Sequence, residues 1–450
     1  MRKKHSYRSV DVKTLSAQKL LEQLRALVVV IAIDVAKSRQ VAAFVDPTGQ
    51  AALLCHFEHP TQTPLFLDLV QALKQEGKTV QVAMEPTGTY GDVLLHQCLM
   101  RGAEVYRVSP KKTHDAQELY DGVPSQHDGK DATLIGRLHL QGLSQRFAPR
   151  SEQERTLRAL VDQRELYAAQ AERLQGQLEA LRARYFPEFE QHLDTRKQTS
   201  ALKVLMQYPS PQKMTQDPAG VQALLLRQSR GRLSTDKMQG LLGAAQKSLG
   251  VPMLEAEQEL VSQVAGELYR LEQQQDRLGP ALEAALARMP WTCELVATLG
   301  VCTTAVLIAY LGDLRAYGSV GALEKACGLN LKVSSSGRDS LKKHPPGLHI
   351  TKRGPGMVRK YLYLATLRWL QQDAVAVAWY QRRSGYSEAS KQRAVVALMR
   401  KLVAKLWHLS RGAAYCPQKL FDLSRLTPSK ALAGGSVRMR KETEVHQVSL

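Results

Sequence analysis

Four carboxylates in this chain stand where an oxygen-ligated metal site could be built. Asp34 closes the apolar run Leu27–Asp34, Glu85 closes Thr79–Glu85, and Asp128 and Asp131 open the segment Asp128–Leu140, which reads as a helix. An i, i+3 pair shares one helical face, so both aspartates can address the same point. Carboxylates brought together raise one another's proton affinity unless a cation sits among them. Ligands that are all oxygen select Mg2+ or Mn2+, and two such ions about 4 Å apart polarise a phosphate and steady its attacking and leaving oxygens. Phosphodiester chemistry is the natural use. Singly, each acid has a plainer role: Asp34 as a turn residue, Glu85 before Pro86 as a loop residue, Asp128 as a helix cap. The joint pattern carries the argument, and Glu104, Asp115, Glu118 and Asp121 read as solvated or structural acids.

A second group of residues lies toward the C-terminus. Ser334-Ser335-Ser336-Gly337-Arg338 is a small polar loop, and after it come Lys342, Lys343, Lys352, Arg353, Arg359, Lys360 and Arg368 against one acid, Asp339. Cations this concentrated suit a phosphate backbone. The plain alternative is a serine linker followed by a solvated helix face. A serine attacks phosphorus only where something eases its deprotonation and stabilises the developing charge. No residue of this segment stands out as that base, whereas a metal cluster elsewhere in the chain could serve both ends.

The elements that would position these groups follow an informative order. Leu27–Asp34 is a continuous β-branched run, as expected of a strand buried on both faces. Gln40–Val45 and Ala51–Phe57 flank the turn Asp46-Pro47-Thr48-Gly49 and complete an antiparallel meander. Helix Pro64–Gln75, strand Thr79–Glu85, helix Tyr90–Met100 and strand Ala103–Val108 follow, then helix Asp128–Leu140. Three strands in hairpin succession and then alternating helix and strand is the order of a ribonuclease H-like, or RuvC-like, domain. In such a sheet the ends of the first and fourth strands are neighbours and the last helix crosses them, so the four acids converge.

Beyond Pro149 the pattern changes to heptads. Leu157, Leu160, Arg164, Tyr167, Ala171, Leu174, Leu178, Leu181 and Tyr185 form one seam, with a charged interruption at Arg164. Val261, Val264, Leu268, Leu271, Gln275, Leu278 and Leu282 form another. The two arms can pair with each other or with those of another subunit. The segment 187–250 between them, rich in Gln, Pro and Gly, predicts short helices. Leu295–Leu311 reads as a helix-hairpin-helix, a motif whose glycine turn offers N–H groups to phosphate, but Cys302 occupies the place of its second glycine, so packing is its first role. The resulting fold class is α/β plus all-α. The expected divisions are a basic extension (1–26), a ribonuclease H-like domain (27–148), coiled-coil arms with a helical insertion (149–289), a mostly helical C-terminal domain (290–427) and a tail (428–450).

Bulk properties narrow the partners. A net charge of +20 and a pI near 9.7 draw polyanions by counterion release, with nucleic acid ahead of a solubility bias or a membrane surface. The six cysteines show no C-x-x-C pair and no zinc spacing, and read as core residues of a reducing cytoplasm. The apolar stretch Leu27–Ile33 is too short to span a bilayer, so no membrane partner is expected.

These stretches resemble the DEDD insertion-sequence transposases of the IS110 type, also called bridge recombinases. The resemblance lies in IAIDVAKS (31–38), VAMEPTGTY (82–90), VYRVSPKKTH (105–114) and DGKDATLIGRL (128–138). Further on it lies in LGVCTTAVLIAYLGDL (299–314), KACGLN (325–330), SSSG (334–337) and HITKRGPGMVRKYLYLA (349–365). It places an acidic tetrad on Asp34, Glu85, Asp128 and Asp131 and a nucleophile on Ser336, with Ser335 as close competitor. It implies a phosphoserine intermediate, an active site composed of both domains, a homo-oligomer (dimer or tetramer), double-stranded DNA of element ends and target, and a structured guide RNA. Aromatic residues at 6% suit backbone and shape recognition of folded RNA better than stacking along single strands. The rival readings are a Holliday-junction-type nuclease, which needs no serine, and a non-catalytic nucleic-acid-binding assembly protein, for which the acids are dispensable.

Overall fold

The computed structural model describes residues 7–85, 88–120, 127–332 and 349–426. The chain divides into two compact units, 1–149 and 150–450, a coarser division than the five segments expected from sequence.

The first unit is built on a sheet of seven strands: β1 (Val10–Asp11), β2 (Val28–Asp34), β3 (Arg39–Val45), β4 (Ala51–Glu58), β5 (Thr79–Met84), β6 (Glu104–Val108) and β7 (Ser144–Arg146), in the order β1-β4-β3-β2-β5-β6-β7. The meander β2-β3-β4 is antiparallel, and β2 pairs in parallel with β5. Alternation along the strands sorts side chains into two cores. Val29, Ile31 and Ile33 with Val80, Val82 and Met84 face one way, under α1 (Ala17–Gln23), α2 (Thr63–Gln75) and α3 (Asp92–Met100). Val30, Ala32 and Ala83 face the other way, under α4 (Pro110–Ala116) and α5 (Asp128–Leu140). Helix α5 lies close on that face: a Cβ at Gly136 would come within 2.5 Å of Val45 Cγ2, so only glycine fits.

The stretch before Leu27, read from sequence as a basic extension, is in part structural. Val10 and Asp11 add a parallel edge to β4 at Cys55 and His56, and Leu20 of α1 is buried in the core.

In the second unit, α6 (Glu152–Tyr185) begins with a capping box between Ser151 and Glu154. The short helices α7 (Phe189–His192), α8 (Thr199–Gln207), α9 (Pro211–Gln216), α10 (Pro218–Ser229) and α11 (Thr235–Gln246) follow, and α12 (Glu255–Ala287) runs back along α6. The two seams therefore pair within the chain. At one end Leu178, Val261 and Leu268 share a core with α8 to α11. At the other, Leu157, Val161, Leu282 and Leu286 share one with the C-terminal helices. Those are α13 (Cys293–Leu299), α14 (Val301–Leu311), α15 (Val320–Ala326), α16 (Gly356–Gln372), α17 (Ala374–Arg383), α18 (Glu388–Leu409) and α19 (Pro417–Leu420). The charged interruption of the first seam has a partner: Arg164 Nη1 donates to Tyr361 Oη at 2.6 Å, and Tyr361 donates in turn to Glu165.

Between α13 and α14 the chain turns at Gly300, whose φ of +79° lies in the region that favours glycine. Two helices joined at Gly300 thus span the expected helix-hairpin-helix stretch Leu295–Leu311, with half-buried Cys302 beside Arg164 and Tyr361. Among the described residues no helix is long and apolar enough to cross a membrane.

Candidate functional site

The parity of β2 and β5 positions the first two acids. Asp34 follows Val30 and Ala32 in the alternation, and Glu85 follows Ala83, so both fall on the face covered by α5. The parallel register ends with Ile33 opposite Met84, which sets Asp34 and Glu85 on neighbouring strand ends. Helix α5 supplies the other two from its first turn. It starts where the His127 ring accepts the Gly129 N–H at 3.1 Å, a cap that leaves Asp128 free for other partners.

The charges of the other three acids act on Asp34. Burial, and then the charges of Asp131, Asp128 and Glu85, push the Asp34 carboxyl up to about 6. Asp131 is likewise raised, by burial first and then by Asp128, with Lys130 and His127 acting in the opposite sense. The donor set is all carboxylate oxygen, which fits a hard divalent cation. Among the described residues no three His, Cys, Asp or Glu side chains are drawn tightly enough together to form a finished metal cage. The acids are within electrostatic reach of one another.

Two residues join the site that the sequence reading passed over. Thr113 of α4 is buried, and its hydroxyl lies 2.6 Å from Glu85 Oε2 and 2.8 Å from the Pro110 carbonyl oxygen. One proton shared between these acceptors fixes one Glu85 oxygen and leaves the other for a ligand. Lys130, buried at the base of α5, lowers the proton affinity of Asp131. Glu104 and Asp115 stand apart from the cluster: Glu104 accepts from Gln81 and Tyr106, and Asp115 from Lys111. Thr113→Val should lower strand cleavage about tenfold, roughly the worth of one charge-assisted hydrogen bond. DNA affinity should stay unchanged and Thr113→Ser should restore the rate. Equal losses in Thr113→Val and Thr113→Ser would remove the positioning role.

The C-terminal group is only partly within the described residues. Ser334, Ser335, Ser336, Lys342 and Lys343 lie outside them. On either side of that segment, β8 (Leu331–Lys332) and β9 (His349–Ile350) are antiparallel partners, with Lys332 opposite His349. Lys352, Arg353 and Lys360 are exposed. Arg359, which the sequence reading gave to a phosphate, is placed differently from these three. It is 9% exposed, and its Nη1 donates to the Gly354 carbonyl at 2.7 Å, bracing the close approach of Gly328 and Gly354. Neutralising Lys352, Arg353 and Lys360 together should weaken binding to all DNA sequences alike. In a salt titration it should flatten log K against log[salt] by about 0.9 per lost contact. A changed sequence preference with an unchanged slope would mean base readout instead.

Comparison with known proteins bears on both groups. A family model described as "Transposase", for the DEDD domain of IS110 elements, matches residues 31–187, the stretch that holds all four acids. A second, described as "Transposase IS116/IS110/IS902 family", matches residues 296–393. The chain belongs to the IS110 family of DEDD transposases. It is 22% identical over 400 residues to the uncharacterized protein of insertion element IS110 from Streptomyces coelicolor, covering 87% of this chain and 96% of that protein. It is also 31% and 32% identical to the pilin gene-inverting proteins of Moraxella lacunata and Moraxella bovis, in each case over 34% of this chain and 46% of the relative.

Proposed function

We propose that this transposase cuts and rejoins the DNA strands of an insertion sequence through a serine–phosphodiester intermediate. The observation that supports the proposal is that the charges of Glu85, Asp128 and Asp131 all act on Asp34, inside the stretch matched by the DEDD family model. Asp34, Glu85, Asp128 and Asp131 would hold Mg2+ or Mn2+, which supplies Lewis-acid stabilisation of phosphate charge. The chain's own part is the rest. Thr113 orients Glu85, and the exposed cations Lys352, Arg353 and Lys360 seat the backbone, with Lys342 and Lys343 assigned to the same task. Ser336 Oγ forms the new bond to phosphorus as the strand's own P–O bond breaks, and the departing oxygen takes up a proton. A strand hydroxyl then displaces the serine and rejoins the DNA.

A structured RNA as guide follows from the family resemblance and is proposed with it. So is a homo-oligomer. Because α6 and α12 pair within the chain, subunit association would use other surfaces than the two seams. The test is incubation with element ends, RNA and Mg2+, followed by a search for a protein–DNA adduct that survives denaturation. Cleavage without an adduct would favour a metal-dependent nuclease.

A further inference from the structure

A second basic site lies in the C-terminal helices, apart from residues 352–360. Between α17, α18 and α19 is a cleft of about 470 Å3, walled by Trp379, Arg383, Arg400, Lys401, Lys419 and Glu324 among others. A hollow of about 280 Å3 shares Trp379, Arg383 and Lys401 with it and adds Arg382, Arg425 and Asp422.

The two acids are already paired. Glu324 takes two hydrogen bonds from the Arg400 guanidinium at 2.7 and 3.0 Å, and Asp422 meets Arg425 at 2.8 Å. Arg382, Arg383, Lys401 and Lys419 form no ion pair among the described residues. Lys401 Nζ donates to the Leu420 carbonyl oxygen and Arg382 to that of Arg425, while Arg383 Cζ and Lys401 Nζ each sit 5.3 Å from the centroid of the Trp379 ring, and Lys401 also lies 5.0 Å from that of Phe421. Aromatic faces hold cations in place without neutralising them. Burial first, and then the charges of Arg383 and Arg400, lower the Lys401 ammonium from its usual range.

We infer that this paired cleft holds the phosphodiester backbone of duplex DNA, at a second contact separate from the basic segment 352–360. A small anion would satisfy one hollow, whereas a backbone with regularly spaced charges meets the cations of both. Arg400, Lys401, Lys419 and Arg425 lie beyond residues 296–393, so most of the cleft falls outside the stretch matched by the family model. The choice of DNA rests on the proposed strand-transfer function.

The test is fluorescence anisotropy of the full chain with a labelled DNA duplex across a salt series. Arg383→Gln with Lys419→Gln removes two exposed cations and leaves the buried framework intact. The expected result is binding weaker by about tenfold and a salt slope flatter by about two units. Arg173→Gln with Arg227→Gln removes the same charge from exposed sites on α6 and α10 and should leave the slope nearly unchanged. Duplex DNA should also change tryptophan emission in the unaltered chain, and Trp379→Phe should remove that change. Equal losses in the two double variants would show a general charge effect and overturn the inference, as would a loss confined to structured RNA. If the unaltered chain never cleaves DNA yet the difference between the two double variants persists, the strand-transfer reading falls and the cleft stands.

Discussion

Ser336→Ala should abolish both the covalent adduct and strand rejoining while the chain still folds and binds DNA. The expectation follows from a division of labour along the sequence. On the proposed mechanism the acids around Asp34 supply no side-chain nucleophile and the serine segment no evident base, so each part needs the other. Loss of the attacking atom costs orders of magnitude in rate, whereas a loop hydroxyl contributes less than about 1 kcal/mol to stability. Ser335→Ala should be mild, and the contrast decides which of the adjacent serines is used. The measurement is adduct yield on a denaturing gel beside an unfolding curve for each variant. Continued cutting by Ser336→Ala in Mg2+ would make water the nucleophile, and a nuclease would replace the recombinase.

Asp128→Asn and Asp34→Asn should each eliminate cleavage yet preserve or tighten DNA binding, because the charge removed is negative. Asp34→Asn should also stabilise the protein when divalent ions are chelated. In the folded chain the Asp34 carboxyl ionises only near pH 6, against 3.8 ordinarily, so its ionisation opposes folding. That cost is absent below about pH 4, grows between about 4 and 6, and is complete above. A shift of this size is worth at most about 3 kcal/mol, and solvent screening of a partly exposed carboxylate reduces it to about 1–2. The variant's unfolding midpoint in chelator should therefore exceed that of the unaltered chain at neutral pH, by a few degrees, and match it at pH 4. A lower midpoint at neutral pH would contradict the view that these acids repel one another.

The strands were legible because β2 is apolar on both faces and its alternation fixes where Asp34 points. The i, i+3 spacing of Asp128 and Asp131 did the same for α5. Thr113 was not legible: its contact with Glu85 depends on how α4 returns after β6, although it lies three residues past the helix-starting Pro110, in a stretch already singled out. The burial of Arg359 was not legible because charge was counted without regard to face. Val358, Leu362 and Ala365 mark the buried stripe of α16, and position 359, three residues before Leu362, lies at its edge. The heptad seams revealed long helices but not their partners, since the same apolar spacing suits an intrachain hairpin and an intersubunit one. The structure seats Leu178 and Leu268 among α8 to α11, which no periodicity could show.

The α6–α12 hairpin behaves mechanically as a beam clamped at one end. At 34 residues α6 is about 51 Å long. Near its start, Leu157, Val161 and the Arg164–Tyr361–Glu165 bonds fasten it to the helix that follows the exposed cations Lys352 and Arg353. Its far end carries only the small helical insertion. A load applied to that insertion acts with the full length of the hairpin as its lever, and the torque is delivered at Tyr361, on the helix that begins three residues after Arg353.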